Sequence, residues 1–398
     1  MFSIQKVAVS GALAGMTALA LVAPNTAQAD CTPTWAEDVG LPVQYATRVW
    51  DLVTFDDGTG ETLYAAGLLD FGPPEVRTGA LRWNGETWEP LQVQGAGNTA
   101  SAKMLAVHEG ELYGAGGFNI YDDDADEFRW YRVARWDAGL ADWIPVSEPI
   151  AQFFTVFTGD AMVSFDGALY IGGRHDASQG VGPGILSKYD GVSWGPPAEL
   201  PLFVSFSDVR DLTVFNGALY ASFGDFGGGS VYRLQAGSST WEQVGGLVPS
   251  FSKMAEFQGE LYLAGTNSPF EPPVTDHVYR LVDDEWVPLP SASDYDFTFI
   301  DVMASADDGS GEALFIGGTI GDIGGTENLN GIAKWDGVSW SSLGGGVLPE
   351  NDDWDQARVV SLHGWNDGAG SALWVGGEFD YVDNGGDLIS SRGIGRWG

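Results

Sequence analysis

Hydrophobic positions along this chain fall in short runs of strand length, and the runs recur. A Leu-aromatic string returns seven times: Leu63-Tyr64-Ala65-Ala66-Gly67, Leu112-Tyr113-Gly114-Ala115-Gly116-Gly117, Leu169-Tyr170-Ile171-Gly172-Gly173, Leu219-Tyr220-Ala221-Ser222, Leu261-Tyr262-Leu263-Ala264-Gly265, Leu314-Phe315-Ile316-Gly317-Gly318 and Leu373-Trp374-Val375-Gly376-Gly377. The copies are separated by 49, 57, 50, 42, 53 and 59 residues. A second string follows each copy and carries a basic residue beside an aromatic or apolar one, as in Leu81-Arg82-Trp83-Asn84-Gly85-Glu86-Thr87-Trp88 and Ala333-Lys334-Trp335-Asp336-Gly337-Val338-Ser339-Trp340. A third pattern, an apolar run such as Met104-Leu105-Ala106-Val107, precedes it.

Each unit therefore divides into four strands. Strand a is the apolar run, strand b the Leu-aromatic string, strand c the basic–aromatic string, and strand d holds the second Trp. Asp-Gly or Asn-Gly makes a tight turn between c and d, because both residues tolerate the left-handed backbone that such turns need. Four short strands per repeat is the signature of a propeller blade. The predicted fold is all-β: a seven-bladed β-propeller with four antiparallel strands per blade. The last copy stops at Gly395-Arg396-Trp397-Gly398 without a strand d, while Thr34-Trp35-Ala36-Glu37-Asp38-Val39-Gly40 resembles a strand d without a blade. The last blade is thus expected to be closed by the N-terminal strand, which would hide two sheet edges.

The double glycine, the aromatic–Asp pair and the following Trp resemble the kelch repeat. The pattern is similar to bacterial kelch-like repeats of the form GG…(I/V)A(R/K)WDGxxWxxLG. That resemblance covers all seven units and implies a fold, since propellers host binding modules, scaffolds and enzymes alike. It also implies that arginines at the start of strand a bind acidic ligands. A copper oxidase of the galactose oxidase type would need a Tyr–Cys cross-link, and the one cysteine, Cys31, lies outside the blades.

The first residues form a separate pattern. Lys6 precedes an apolar stretch from Val7 to Ala23, and Ala27-Gln28-Ala29 is a cleavage site. Residues 1–29 read as a signal peptide and 30–398 as a single propeller, secreted or periplasmic. No second apolar stretch of about 18 residues appears, so no membrane insertion is expected. The 398 residues carry 55 acidic and 18 basic side chains, a net charge of −37, which argues against nucleic acid as a partner. A monomer is expected.

Most distinctive residues belong to the repeat. Eleven of the 16 Trp lie on strands c and d and read as packing between blades. Arg82, Arg135, Lys188, Arg233, Arg280, Lys334 and Arg396 fill one slot on strand c and read as ion pairs from blade to blade. Asp56-Asp57-Gly58, Asp307-Asp308-Gly309 and Asn366-Asp367-Gly368 read as turns rather than calcium loops.

Candidate chemistry concentrates on the face that carries the variable b–c loops and the d–a connections. Aligned starts of strand a place Arg48, Lys103, Arg210, Lys253 (offset by one) and Arg358 around the mouth of a central channel, with Asp160 and Phe299 in the other two blades. These cations would bind an anionic ligand or pair with loop carboxylates. Arg174 and His175 add a further pair in a b–c loop. The ligand would be a protein, peptide or polysaccharide, and no cofactor is required. Asp122, Asp124 and Asp126, in the run Asp122-Asp123-Asp124-Ala125-Asp126-Glu127, are candidate ligands for one Ca²⁺, against a solvated acidic loop. No nucleophile elbow, zinc helix or phosphate loop occurs. The leading expectation is a non-catalytic binding module. The alternative is a carbohydrate-active hydrolase or lyase using loop carboxylates such as Asp70, Asp176, Asp225, Asp276 and Asp322.

Overall fold

Tight turns decide where the strands end. In four a–b turns both central residues have positive φ: Glu109-Gly110 (51°, 78°), Asp166-Gly167 (49°, 69°), Asn216-Gly217 (47°, 74°) and Gln258-Gly259 (53°, 77°). These are mirror-image turns whose twist matches the strands they join. The Asp-rich a–b turns use side chains instead. Asp56 Oδ1 accepts the N–H groups of Gly58 and Gly60 at 2.8 and 2.9 Å, and Asp307 does the same for Gly309 and Gly311.

The computed structural model describes residues 32–41, 47–69, 79–91, 99–122, 124–149, 158–174, 186–197, 208–225, 228–250, 252–266, 276–289, 295–323, 327–349 and 357–398. The signal-peptide expectation lies outside them. Thr32–Gly398 is one compact unit. No helix among the described residues is long and apolar enough to cross a membrane.

All regular structure among the described residues is β, mostly in four-stranded antiparallel sheets laid out like propeller blades. Sheet 1 runs through Thr47–Asp56, Glu61–Leu69, Ala80–Trp83 and Trp88–Pro90. Sheet 2 runs through Thr99–His108, Glu111–Asp122, Glu127–Asp137 and Asp142–Pro145. Sheet 3 follows with Thr158–Phe165, Ala168–Arg174, Leu186–Tyr189 and Trp194–Gly195. Sheet 4 holds Asp208–Phe215, Ala218–Asp225, Gly228–Gln235 and Trp241–Val248. Sheet 5 holds Lys253–Phe257, Glu260–Thr266, Asp276–Val282 and Glu285–Pro288. Sheet 6 has Tyr295–Asp307, Glu312–Ile323, Ile332–Trp335 and Trp340–Ser341, with Glu327–Asn328 beside its strand b. Sheet 7 has three strands, Arg358–Asn366, Ser371–Glu378 and Ile394–Trp397. Each strand a packs on strand a of the next sheet, and that of sheet 7 packs on that of sheet 1.

Two departures from the expected pattern sit beside sheet 7. The b–c connection of sheet 7 contains strands Tyr381–Asp383 and Leu388–Ser390, which pair with each other, and the first of them pairs with Gly346–Leu348 in a small three-stranded sheet. The turn of that sheet clamps the N-terminal segment: Asn384 Oδ1 accepts the N–H of Trp35 at 2.7 Å, and Asn384 Nδ2 donates to its carbonyl. The N-terminal segment itself contributes a single bridge, Trp35 with Trp397, rather than a strand. Thr34 and Gly398 exchange backbone hydrogen bonds, and Ala36 N–H donates to Arg396.

The double glycine has two separate steric causes. At the first position, a Cβ on Gly172, Gly317 or Gly376 would come within 2.3, 2.4 or 2.8 Å of Val209, Val359 or Val49, on strand a of the next sheet. At the second, a Cβ on Gly67, Gly116, Gly318 or Gly377 would press on the carbonyls of Arg48, Ser101, Phe299 or Arg358, on strand a of the same sheet. Real side chains essentially never approach this closely, so these glycines exclude a Cβ where they stand; other copies of the repeat hold Ala66, Ala115, Ser222 and Ala264 at the first position and Phe223 at the second.

Four of the tryptophans on strand d or aligned with it follow a rule of their own. Trp194, Trp286 and Trp35 donate their indole N–H to Val146, Val244 and Leu343, each three residues beyond the Trp of the preceding strand d. Trp88 donates to Val39 at 2.9 Å, four residues beyond Trp35. Buried indole donors thus find backbone acceptors across every one of these boundaries.

The strand c cations pair mainly inside their own sheet, not from blade to blade. Arg82 meets Asp57 at 3.3 Å, Arg135 meets Glu111 at 2.5 Å, Arg280 meets Glu260 at 3.1 Å, Lys334 meets Asp308 at 2.6 Å and Arg396 meets Asp367 at 2.8 Å. The reason is geometric: strand c lies next to strand b, so its cation reaches the a–b turn or the start of strand b. Lys188 lies over the ring of Tyr170 in its own sheet. Among the described residues, Arg233 alone of the seven crosses to the next sheet, to Asp284 at 2.7 Å, while also meeting Glu242 of its own sheet at 3.2 Å.

Candidate functional site

A β-bulge places one extra residue on a strand, leaves it outside the ladder and re-aims its side chain. Six of the a strands carry one at the same register. The extra residues are Trp50, Lys103, Asp160, Arg210, Asp301 and Val360. All six line one cavity of about 400 Å³, together with Lys253 at the start of strand a of sheet 5, Arg358 and Glu378.

This register corrects the expected ring of cations. Lys103 and Arg210 occupy the bulge slot, but its occupants in sheets 1, 6 and 7 are Trp50, Asp301 and Val360. Arg48 and Arg358 lie two residues earlier, paired in the ladder with Leu68 and Glu378. Counting from the strand start misses the slot because the bulge adds a residue that no residue type announces. Arg358 still lines the cavity; Arg48 reaches it through Glu378, at 3.4 Å.

The rim is a ring of ion pairs. Asp160 lies 3.6 Å from both Lys103 and Arg210. Arg210 also donates to Asp208 at 3.1 Å. Arg358 grips Asp301 with two parallel hydrogen bonds of 2.5 and 2.6 Å, the bidentate geometry that guanidinium favours. Lys253 differs: its ammonium donates to the carbonyl of Arg210 at 2.6 Å, and no carboxylate among the described residues lies within ion-pair distance. Arg48, Lys103, Arg210, Lys253 and Arg358 thus face Asp160, Asp208, Asp301 and Glu378, one carboxylate fewer.

One residue past the bulge, Asp51 and Asp211 tie neighbouring sheets. Asp51 Oδ2 accepts the N–H of Leu105 at 2.7 Å, and Asp211 Oδ2 accepts that of Met254 at 2.8 Å. Burial pushes the Asp51 carboxyl up to about 7, against the pull of the Leu105 and Leu52 N–H groups and of Lys253. Burial raises Asp211 too. Folded Asp51 therefore keeps a proton between about pH 4 and 7 that the unfolded chain has lost. Its contribution to stability must fall as pH rises through that window. Relative to Asp51→Asn, which does not titrate, the wild type is expected to lose melting temperature between pH 4 and 8. A gap that is constant with pH overturns this.

The other candidates fall at or beyond the limits of the described residues. Arg174 ends strand b of sheet 3, at the register that Glu378 holds in sheet 7. His175 and the loop carboxylates Asp70 and Asp176 lie outside the described residues, as do the side chains of Arg174, Asp225, Asp276 and Asp322. Two histidines serve packing: His108 meets Ser164 at 2.8 Å and His363 meets Thr54 at 3.3 Å, each across a sheet boundary.

The acidic run is a hairpin turn. Strands b and c of sheet 2 extend to Asp122 and Glu127, which pair directly. Asp122 Oδ1 accepts the N–H groups of Asp124 and Ala125, and its other oxygen faces Arg129 at 3.3 Å. Asp126 accepts from Tyr121. Among the described residues, no group of three His, Cys, Asp or Glu side chains is placed to hold a metal ion.

The residues that sequence reasoning missed are Trp50, Asp51, Asp211, Asp301 and Glu378. Trp50 left a signal, being one of the few tryptophans that the repeat does not explain. No protein-family model matches the chain, and no curated protein matches it.

Proposed function

We propose that this chain is an exported, non-catalytic binding module. In this reading it is a seven-bladed propeller of the kelch-like kind, closed by its N-terminal segment, and its ligand enters through the mouth of the central channel. Support for the ring comes from the cyclic packing of the a strands and from the indole bonds of Trp35 and Trp88, which repeat at the termini the pattern found between other sheets. The observation that carries the binding reading is the convergence of six bulge residues on one cavity. A bulge weakens the ladder it interrupts, and six in register serve to aim side chains.

The ligand is a protein, peptide or polysaccharide that presents an anionic group. Lys253 is its anchor, because the other rim cations are held in direct ion pairs, and displacing those carboxylates would cost what the ligand gains, whereas Lys253 meets Asp51 and Asp211 only through their field. Calorimetry with oligogalacturonate and with an oligoglutamate peptide tests this at low salt and at about 0.15 M, where exposed charges are largely screened. Binding by either probe is expected to weaken about 10–100-fold in Lys253→Ala, in line with one charge-assisted hydrogen bond, and to weaken with salt. Undiminished affinity in that variant overturns the reading.

A further inference from the structure

The turn that clamps Trp35 carries a second kind of chemistry. The chain has four Asn-Gly pairs, beginning at Asn84, Asn216, Asn330 and Asn384. In such a pair the glycine nitrogen can attack the asparagine amide carbon, because glycine has no Cβ to obstruct a close approach. Three of the pairs are silent or shielded. Asn84 Oδ1 accepts the N–H groups of Glu86 and Thr87, and Asp190 and Asp336 accept the matching pairs in their own c–d turns, so an acid serves equally there. Asn216-Gly217 forms the same positive-φ turn as Asp166-Gly167, where an acid already stands. The Gly331 N–H is held by the Ile320 carbonyl at 3.2 Å, and a Cβ on Gly331 would strike Val347.

Asn384-Gly385 differs on both counts. Gly385 and Gly386 are exposed, with φ of 76° and 114°, and a Cβ on either would meet no atom within 4 Å. The Asn384 amide, in contrast, is used at both ends. Its Oδ1 accepts the N–H of Trp35 at 2.7 Å, and its Nδ2 donates to the Trp35 carbonyl at 3.1 Å. A carboxylate can repeat the first bond but not the second, because it has no donor. It would set an anionic oxygen against that carbonyl and add a charge to a turn that already holds Asp383 and Asp387.

We propose that Asn384 is a site of spontaneous deamidation, and that its conversion loosens the N-terminal segment. The Gly385 nitrogen, having given its proton to hydroxide, attacks Cγ of Asn384. The N–Cγ bond forms, the Cγ–Nδ2 bond breaks, and Nδ2 leaves as ammonia with a proton from water. Water then opens the resulting succinimide, at Cγ to give aspartate or at the backbone carbonyl carbon to give isoaspartate. Either product has lost the donor to Trp35, and isoaspartate also lengthens the backbone of the turn. Loss of ammonia is irreversible, so each molecule that has reacted keeps the weakened closure. These steps need no ligand at the rim.

Incubation of the full protein in mildly alkaline buffer, followed by peptide mass mapping, tests the site. Hydrogen exchange over residues 32–41 and the melting temperature test the release. Asn384 is expected to convert about tenfold faster than Asn330, whose glycine must first give up a hydrogen bond. As it converts, exchange over residues 32–41 should quicken and the melting temperature should fall by about 2 °C or more, as both should in fresh Asn384→Asp. Asn84→Asp should leave both unchanged. The aged wild type, which folded before it reacted, serves where Asn384→Asp fails to fold. Conversion no faster than at Asn330, or none by the time a free peptide of residues 381–388 has fully reacted, overturns the site. Conversion with unchanged exchange and melting temperature overturns the release.

Discussion

Replacing Trp35 with alanine is expected to destabilise the protein by ~3–5 kcal/mol, the usual cost of emptying a buried aromatic site. Trp35 is 2% exposed and sits edge-on to Trp397, ring centroids 5.3 Å apart. Its indole donates to Leu343 at 2.9 Å, and its backbone is held by Asn384. Trp35→Phe should cost less, because it keeps most of the packing and loses one hydrogen bond worth about 1 kcal/mol. Deleting residues 30–41 should cost more than either. It also strips Val39 from the indole of Trp88 and removes Leu41, whose N–H donates to Arg392. The uncovered edge beside Trp397 should then drive association. Urea unfolding and light scattering read both effects. A monomeric deletion variant with the melting temperature of the full protein would show that the termini hold nothing together.

The repeat was legible because packing acts on residue types. A glycine facing a neighbour's valine, an indole between sheets and an Asp-Gly turn each demand a narrow choice, so they recur as letters. Trp35 was readable as a strand d tryptophan on the same grounds, although its segment forms one bridge and no strand. The bulge was not readable, because it is a property of register. Trp50, Lys103, Asp160, Arg210, Asp301 and Val360 share a slot and almost no chemistry. Aligning on charge selected Arg48 and Arg358 instead. Aligning on the second glycine, whose Cβ would strike the carbonyl two residues before the bulge, would have found the slot.

The same distinction explains the strand c cations. Their recurrence marked a structural role, yet the partner was misplaced, since the sequence shows neither which edge of strand c faces inward nor how far an a–b turn reaches. Asp57, Asp308 and Asp367 were legible as turn formers. Their second task, holding Arg82, Lys334 and Arg396, depends on sheet order. One carboxylate thus shapes a hairpin and ties strand c to it.

Among these three pairs, Asp308 with Lys334 should matter most. The Asp308 side chain is fully buried, whereas its counterparts Asp57 and Asp367 are not. Asp308 Oδ2 accepts from Lys334 at 2.6 Å and from the indole of Trp397, in the next sheet, at 3.2 Å. Burial alone would raise the Asp308 carboxyl; the hydrogen bonds from Lys334 and Ser310 outweigh it and hold the group below the usual carboxylate range. Lys334→Met strands a buried charge, and near neutral pH it is expected to cost ~3 kcal/mol, the low end for a broken buried pair because Lys334 keeps some contact with water. The pH dependence has a definite sign. A lowered folded pKa means that wild-type Asp308 adds stability above the ordinary carboxylate pKa and loses it as pH falls through the folded one. In Lys334→Met the carboxyl titrates upward instead, so acid relieves the variant's penalty while it erodes the wild type's advantage. The difference in unfolding free energy between the two should therefore be largest near pH 7 and shrink toward pH 3. Asp308→Asn combined with Lys334→Met should lose less than the sum of the single changes, because neither partner is then left charged alone. A gap that stays constant from pH 3 to 7 would mean that Lys334 contributes through packing over Phe315, where its ammonium lies 5.7 Å from the ring centroid, and not through charge.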